Sequence, residues 1–262
     1  MITKGKVYAS SDWHGCWNVA SQVLNWLQSE DTLYFIGDAI DRGNDGLKIF
    51  DELIADPRVI FMKGNHEEMM AEAIPSLAAE IADINYYGGN GYSLWFRNGG
   101  DVTSRPMWDM SQERIYKYKE IIEKMPVELT YNSPNGHSVI LEHAGYTPFD
   151  FGYRRGHDPL WDREHFYDKW VGPDNIYLVH GHTPTMYLRL QYGYEGMKPL
   201  TKTEIQHRYD WWKEENKKII IPEVIQYCDN HKFCIDMCTI VSGRIALLDL
   251  DTFEVVYFDE ES

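Results

Sequence analysis

From Phe35 to Asp45 the chain reads Phe-Ile-Gly-Asp-Ala-Ile-Asp-Arg-Gly-Asn-Asp, an apolar run that stops at a glycine and then presents Asp38, Asp41 and Arg42. A carboxylate at the end of a buried strand is expensive unless it is paired or bound to a cation. Asp38 has two oxygens, enough to bridge two cations. Upstream, Asp12-x-His14 puts a carboxylate and an imidazole on one side of an extended chain, because side chains alternate there. Asn65 offers a neutral oxygen, and His143 and His182 offer neutral imidazoles. Oxygen and nitrogen donors without a thiolate suit Mn, Fe or Zn rather than an iron–sulfur cluster. Each motif alone is weak: Asp-x-His is ordinarily a polar turn, and the Asp38–Asp45 stretch could be an acidic one. Their combination points to a metal centre.

These residues need elements to bring them together. Lys6 to Ser11, Leu33 to Ile36 and Arg58 to Met62 read as strands, and each ends in a polar cluster: Asp12/His14, Asp38/Asp41/Arg42 and Asn65/His66/Glu67. Between them, Val19, Val23, Leu24 and Leu27, then Leu47, Phe50, Leu53 and Ile54, fall at helical spacing. This alternation predicts parallel strands with right-handed crossovers. Ligand sites in open α/β sheets lie beyond the carboxyl ends of the strands, so the three clusters converge on one edge. Ser138 to Glu142 is a further strand ending at His143, and Ile176 to Val179 another ending at His180-Gly181-His182.

Glu67 to Met125 reads as mostly helical, interrupted by a loop from Tyr86 to Gly100. Its Tyr86, Tyr87, Tyr92, Trp95 and Phe96 either wall a cleft or pack an insert. A Tyr/Gly-rich stretch and a polar helix from Thr203 to Lys217 resemble an insertion around 186–222. Cys234–Val241, Arg244–Asp249 and Glu254–Phe258 read as a β-meander. Cys228, His231, Cys234 and Cys238 invite a zinc reading, but their spacing is irregular and buried thiols are the alternative. With no repeat and no clear linker, 1–262 reads as one domain.

At 262 residues and 44% hydrophobic the chain can bury a sizeable core. Its net charge of -16 repels long polyanions, so neither long nucleic acid nor an anionic membrane is an expected partner. An anionic substrate then needs local positive charge, which bound metal supplies. The absence of a long apolar run, of a signal-peptide pattern after Met1 and of a disulfide scaffold leads to the expectation of a cytoplasmic protein.

The strings SDWHG, GDAIDRG, GNHE, HAG and HGHT, in this order, resemble the metallophosphoesterase superfamily and, more narrowly, its bacterial or phage phosphoprotein phosphatases. The resemblance runs from Val7 to about Thr183. It implies an α/β fold with a central β-sandwich flanked by helices, in four α/β/β/α layers. It also implies two divalent metals, with manganese expected and Fe or Zn as alternatives. Asp12 and His14 would bind the first, Asp38 both, and Asn65, His143 and His182 the second. Pro184 stands where some relatives carry another metal-binding histidine, which fits phosphatases better than nucleases.

By the same resemblance His66 is the general acid, and Asp41 orients it. Arg42, Arg163 and Asn65 contact the phosphate. Lys63 stands where relatives often carry arginine, and an ammonium lacks the planar fork. Metals about 3.5–4 Å apart clamp phosphoryl oxygens and lower the pKa of a shared water to about 7, for in-line attack on phosphorus. The implied activity is hydrolysis of phosphomonoesters, foremost phosphoserine and phosphothreonine in proteins, with tyrosine activity as an extension. Small phosphoesters are the other substrate class, and a diadenosine tetraphosphate hydrolase is the nearest alternative. A catalytically silent phospho-ligand module ranks below it. A nuclease or cyclic-nucleotide phosphodiesterase is disfavoured by Pro184 and the acidic surface.

Overall fold

A computed structural model describes residues 5–83, 91–148, 157–163, 165–192 and 221–260. Two mixed five-stranded sheets are flanked by helices. In the first sheet, β1 (Val7–Ser10), β2 (Thr32–Phe35) and β3 (Val59–Phe61) are parallel, as the polar-ended apolar runs predict. Two later strands, Arg244–Asp249 and Val255–Asp259, extend it antiparallel beyond β1. In the second sheet, β4 (Glu128–Asn132), β5 (Ser138–Glu142) and β6 (Ile176–His180) lie side by side. β7 (Ile225–Tyr227) and β8 (Lys232–Cys234) follow, with β8 next to β6, and the strands Arg244–Asp249 and Val255–Asp259 are β9 and β10.

Alternation along the strands builds the core. Val7 and Ala9 of β1 meet Val139 and Leu141 of β5, Val179 of β6, Phe233 of β8 and Leu248 of β9 between the sheets. Tyr8 points the other way, into a cluster with Ile245 and Leu247 of β9 and the helices α1 (Trp17–Trp26), α2 (Gly46–Ala55) and α3 (Asn65–Ile81). Val19, Ala20 and Val23 are the buried positions of α1; Leu47, Ile49, Phe50 and Leu53 are those of α2. Both sheets end their parallel strands towards one edge, where the polar clusters lie. No helix among the described residues is long and apolar enough to cross a membrane.

Two sequence expectations are corrected. Cys234–Val241 is not a strand: β8 ends at Cys234, Cys238 is left-handed (φ 52°), and a single helical turn follows at Thr239–Ser242. The cause is local, since the Asp236 carboxylate accepts the Cys238 N–H at 2.7 Å and bends the backbone back. Cys234 and Cys238 therefore do not share a strand face. Cys234 Sγ contacts the Thr183 carbonyl at 3.1 Å, Cys228 Sγ the Asp168 carbonyl at 3.1 Å, and His231 stacks on Trp170. Among the described residues these four do not gather as metal ligands, so the zinc reading falls. Tyr86, Tyr87 and the helix expected at 203–217 lie outside the described residues, and the rest of the insertion is visible only as the helix Thr185–Tyr192 and the two residues before Glu223.

Candidate dinuclear metal centre

The first surprise is how the donors are aimed. Asp12 (φ 58°), His14 (42°), Asp38 (63°), Asp41 (71°), Arg42 (66°) and His182 (63°) are all left-handed. Asp12 and His14 therefore do not share a side of an extended chain; each is turned inward by its own kink just past β1. Such conformations cost of order 1–3 kcal/mol each and persist only where the surroundings enforce them. Gly37, at φ 90°, makes room for this: a Cβ there would lie 2.4 Å from Gly64 Cα, so the ends of β2 and β3 approach closely only with both glycines.

Asp38 is the hub. Its Oδ2 lies 3.7 Å from His14 Nε2, 3.8 Å from His66 Nε2 and 3.4 Å from His143 Nε2. Asn65 Oδ1 is 2.9 Å from both His143 Nε2 and His182 Nδ1. Asp12 Oδ1 is 3.9 Å from His14 Nε2, and Asp12 Oδ2 accepts the His182 N–H at 3.1 Å, tying β1 to the loop after β6. All six sequence-predicted ligands are thus gathered and buried. Two donor groups share Asp38: one with His143 and His182, the other with His14 and His66. The second includes His66, which the sequence reading kept out of the ligand set, whereas Asp12 stands slightly apart.

The donor set fits divalent cations. The His14 Nδ1 sits 2.9 Å from the Ile40 carbonyl and the His143 Nδ1 2.7 Å from that of Ile36, which turns both Nε2 atoms towards Asp38. Burial resists charge on His143, yet Asp38 and Asp12 raise its pKa to about 10. A potential that holds a proton on a buried imidazole is one that would hold a cation. Burial and the facing Asp38 raise the pKa of Asp12, the signature of carboxylates crowded without enough positive charge.

Around this centre, Arg42 Nη1 is 2.7 Å from His14 Nε2 and Nη2 is 3.0 Å from His66 Nε2, so its fork spans both imidazoles. His66 Nδ1 is 2.7 Å from Asp41 Oδ2. Burial disfavours a charged His66, but Asp38 and Asp41 outweigh it and raise its pKa. Arg163 approaches from the other side, Nε donating to His182 Nε2 at 3.0 Å, so it is no stray surface arginine. The Lys63 backbone N–H bonds the Pro126 carbonyl, and its ammonium acts on the Glu68 and Glu123 carboxyls.

Sequence reasoning missed three supports. Glu67 at the start of α3 accepts the N–H groups of Asp38 (2.8 Å), Ala39 (2.9 Å) and Gly64 (2.9 Å), pinning the two ligand loops together. The signal was present in the last letter of GNHE. Trp95 and Thr103 hold Asp41, a link across more than fifty residues that no spacing rule announces. His180 behaves as a strand-end histidine: it is buried, with Nε2 2.7 Å from the Tyr227 hydroxyl.

The family model described as calcineurin-like phosphoesterase matches residues 5–204. No curated protein sequence matches the chain. Among solved structures, a candidate diadenosine tetraphosphatase superimposes with a TM-score of 0.56 at 13% identity, covering 100% of this chain and 96% of its own. A mutant cold-active protein tyrosine phosphatase gives 0.52 at 17% identity, covering 97% and 77%. A cold-active protein-tyrosine phosphatase of a psychrophilic Shewanella gives 0.50 at 16%, covering 94% and 76%. At such identities the likeness speaks to the fold alone.

Proposed function

The chain belongs to the calcineurin-like phosphoesterase family, a metal-dependent phosphoester hydrolase with phosphatases among its structural neighbours, and on that premise we propose that its substrates are phosphoserine and phosphothreonine side chains of proteins. The observation that carries this reading is the buried pair of His66 and Asp41, 2.7 Å apart, beside the Arg42 fork. An alkoxide leaving group is about as basic as hydroxide, the conjugate base of water with pKa about 15.7, and needs a proton as it departs. A leaving nucleotide phosphate, with its second pKa about 6, does not. A general acid set this firmly is therefore best explained by an alkoxide.

Asp12, His14, Asp38, Asn65, His143 and His182 would hold two divalent cations, which we take to be manganese. Those cations would supply positive charge for the phosphoryl oxygens and the acidified water that attacks phosphorus. The protein's own groups do the rest. Arg42, whose fork faces the His14 and His66 Nε2 atoms in the substrate-free protein, would turn its planar N–H pair onto two phosphate oxygens and so leave His66 Nε2 free to carry a proton. Arg163 adds a second guanidinium from the far side, next to His182. His66 gives the Nε2 proton to the departing oxygen, while Asp41 keeps the Nδ1–H fixed and the imidazolium stable until then.

The test is metal-stripped protein reconstituted with Mn²⁺ and offered a phosphoserine peptide and diadenosine tetraphosphate in parallel. Orthophosphate from the peptide, with little cleavage of the dinucleotide, supports the proposal. The reverse preference would keep the metal centre and move the substrate to nucleotides.

A further inference from the structure

Asp41 is wholly buried, and its carboxylate is held from two sides. His66 Nδ1 takes Oδ2 at 2.7 Å, and the Trp95 indole N–H straddles both oxygens, 3.0 Å from Oδ1 and 2.9 Å from Oδ2. The His66 contact engages Oδ2 alone; the indole N–H reaches Oδ1 as well and ties the carboxylate to a buried ring, so the two contacts together hold it. Trp95 is itself immobilised. It is fully buried, stacks on Phe96 and lies on Gly100, where a Cβ would come within 2.4 Å of the indole.

The same segment grips the backbone. The Thr103 Oγ1 accepts the Asp41 N–H at 2.9 Å, and the Gly99 carbonyl accepts the Arg42 N–H at 3.1 Å. Gly99 is left-handed (φ 96°), and a Cβ on it would lie 2.9 Å from Arg42 Cγ. Asp41 and Arg42 are consecutive left-handed residues, which L-residues do not adopt without outside support. The stretch read from sequence as cleft wall or insert packing supplies that support.

We propose that Trp95 is a positioning residue for the His66–Asp41 pair: its indole N–H orients the Asp41 carboxylate so that His66 Nε2 is aimed at the departing oxygen, while Gly99, Gly100 and Thr103 keep the indole and the Asp41–Arg42 backbone in register. This rests on His66 being the proton donor. In the step itself the oxygen of the attacking water bonds to phosphorus as the bond from phosphorus to the leaving oxygen breaks, the Nε2 proton passes to that leaving oxygen, and His66 is left neutral with its Nδ1–H still on Asp41. The indole proton is neither given nor taken.

The experiment compares a poor and a good leaving group, phenyl phosphate and dinitrophenyl phosphate, on the Mn²⁺-loaded protein. Trp95→Phe keeps an aromatic ring at the site and removes the N–H. Turnover of phenyl phosphate should fall about 10–100-fold, and that of dinitrophenyl phosphate by less than about threefold. On an Asp41→Asn background the same change should cost nothing further, because both act through one carboxylate. Equal loss on both substrates, or full additivity with Asp41→Asn, would overturn the assignment. His66→Asn, run alongside, separates the two failures. If it spares dinitrophenyl phosphate while Trp95→Phe does not, only the positioning role is lost; if it slows both equally, the proton-donor reading is lost. Should Trp95→Phe not fold, the near-isosteric Thr103→Val, which strips the acceptor from the Asp41 N–H, should show the same selective loss with unchanged metal content.

Discussion

Gly181, between His180 and His182, has no room for a side chain. A Cβ there would lie 2.2 Å from Asp12 Oδ2 and 2.3 Å from Ser11 Oγ. Its φ is outside the left-handed region, so Gly181→Ala strains no backbone dihedral and its cost falls on the contacts with Asp12 and Ser11, whose own Cβ would lie 2.9 Å away. A carbon–oxygen contact of about 3.2 Å is the least that packing tolerates, so the Asp12 carboxylate must retreat by about 1 Å. Asp12 Oδ2 also accepts the His182 N–H at 3.1 Å, and that bond breaks as the carboxylate leaves. Overpacking of this size costs about 1–3 kcal/mol, which a stable domain survives. A misplacement of about 1 Å at a reacting centre costs about 10²-fold in rate. Gly181→Ala should therefore stay folded with a modestly lowered Tm, retain less than a full complement of Mn²⁺ by elemental analysis, and lose turnover about a hundredfold. A folded variant with wild-type metal content and wild-type kcat would refute the placement of Asp12 at the centre.

Other consequences follow from the same geometry. His66→Asn should lower phosphoserine turnover about 10²–10⁴-fold with metal content intact, and metal lost in proportion to rate would contradict its role as donor. Asp38→Asn should deplete both cations together, since the Asp38 carboxylate faces both His14 and His143; elemental analysis showing full occupancy would contradict the bridge. Lys232 is fully buried, bonding Thr147 Oγ1 at 2.7 Å and the His165 carbonyl at 3.2 Å, and burial pushes its pKa down from 10.5 to about 8. Its folded value is below its unfolded one, so the cost of burying the charge is fully present below pH about 8, and stability rises from there to pH about 10.5. Lys232→Met should be more stable than the parent at pH 7 by about 1–2 kcal/mol, after its lost hydrogen bonds, and should lack that rise; urea melts with the same pH slope for both proteins would disprove this.

Much of the architecture was legible because it rests on local pattern. β1, β2 and β3 announce themselves as apolar runs ending in polar clusters, and those clusters mark the edge where the donors gather. β4 was not legible: it is an edge strand whose side chains are exposed or half-buried, so its apolar signal is faint. Asp12 and His14 do approach each other, at 3.9 Å, but left-handed kinks and not strand alternation aim them. The strand expected through Cys238 failed because one carboxylate, Asp236, captures a backbone N–H two residues on. Trp95 was seen only as an aromatic, because its partner Asp41 is brought to it by the fold and not by spacing.

The most direct test of the central claim is a titration of metal-free protein with Mn²⁺, reading bound metal per chain and phosphate release from a phosphoserine peptide in the same samples. Saturation at two equivalents, with hydrolysis rising as the second is bound, is the predicted result. Saturation at one, or hydrolysis by metal-free protein, would contradict a dinuclear centre built on Asp38.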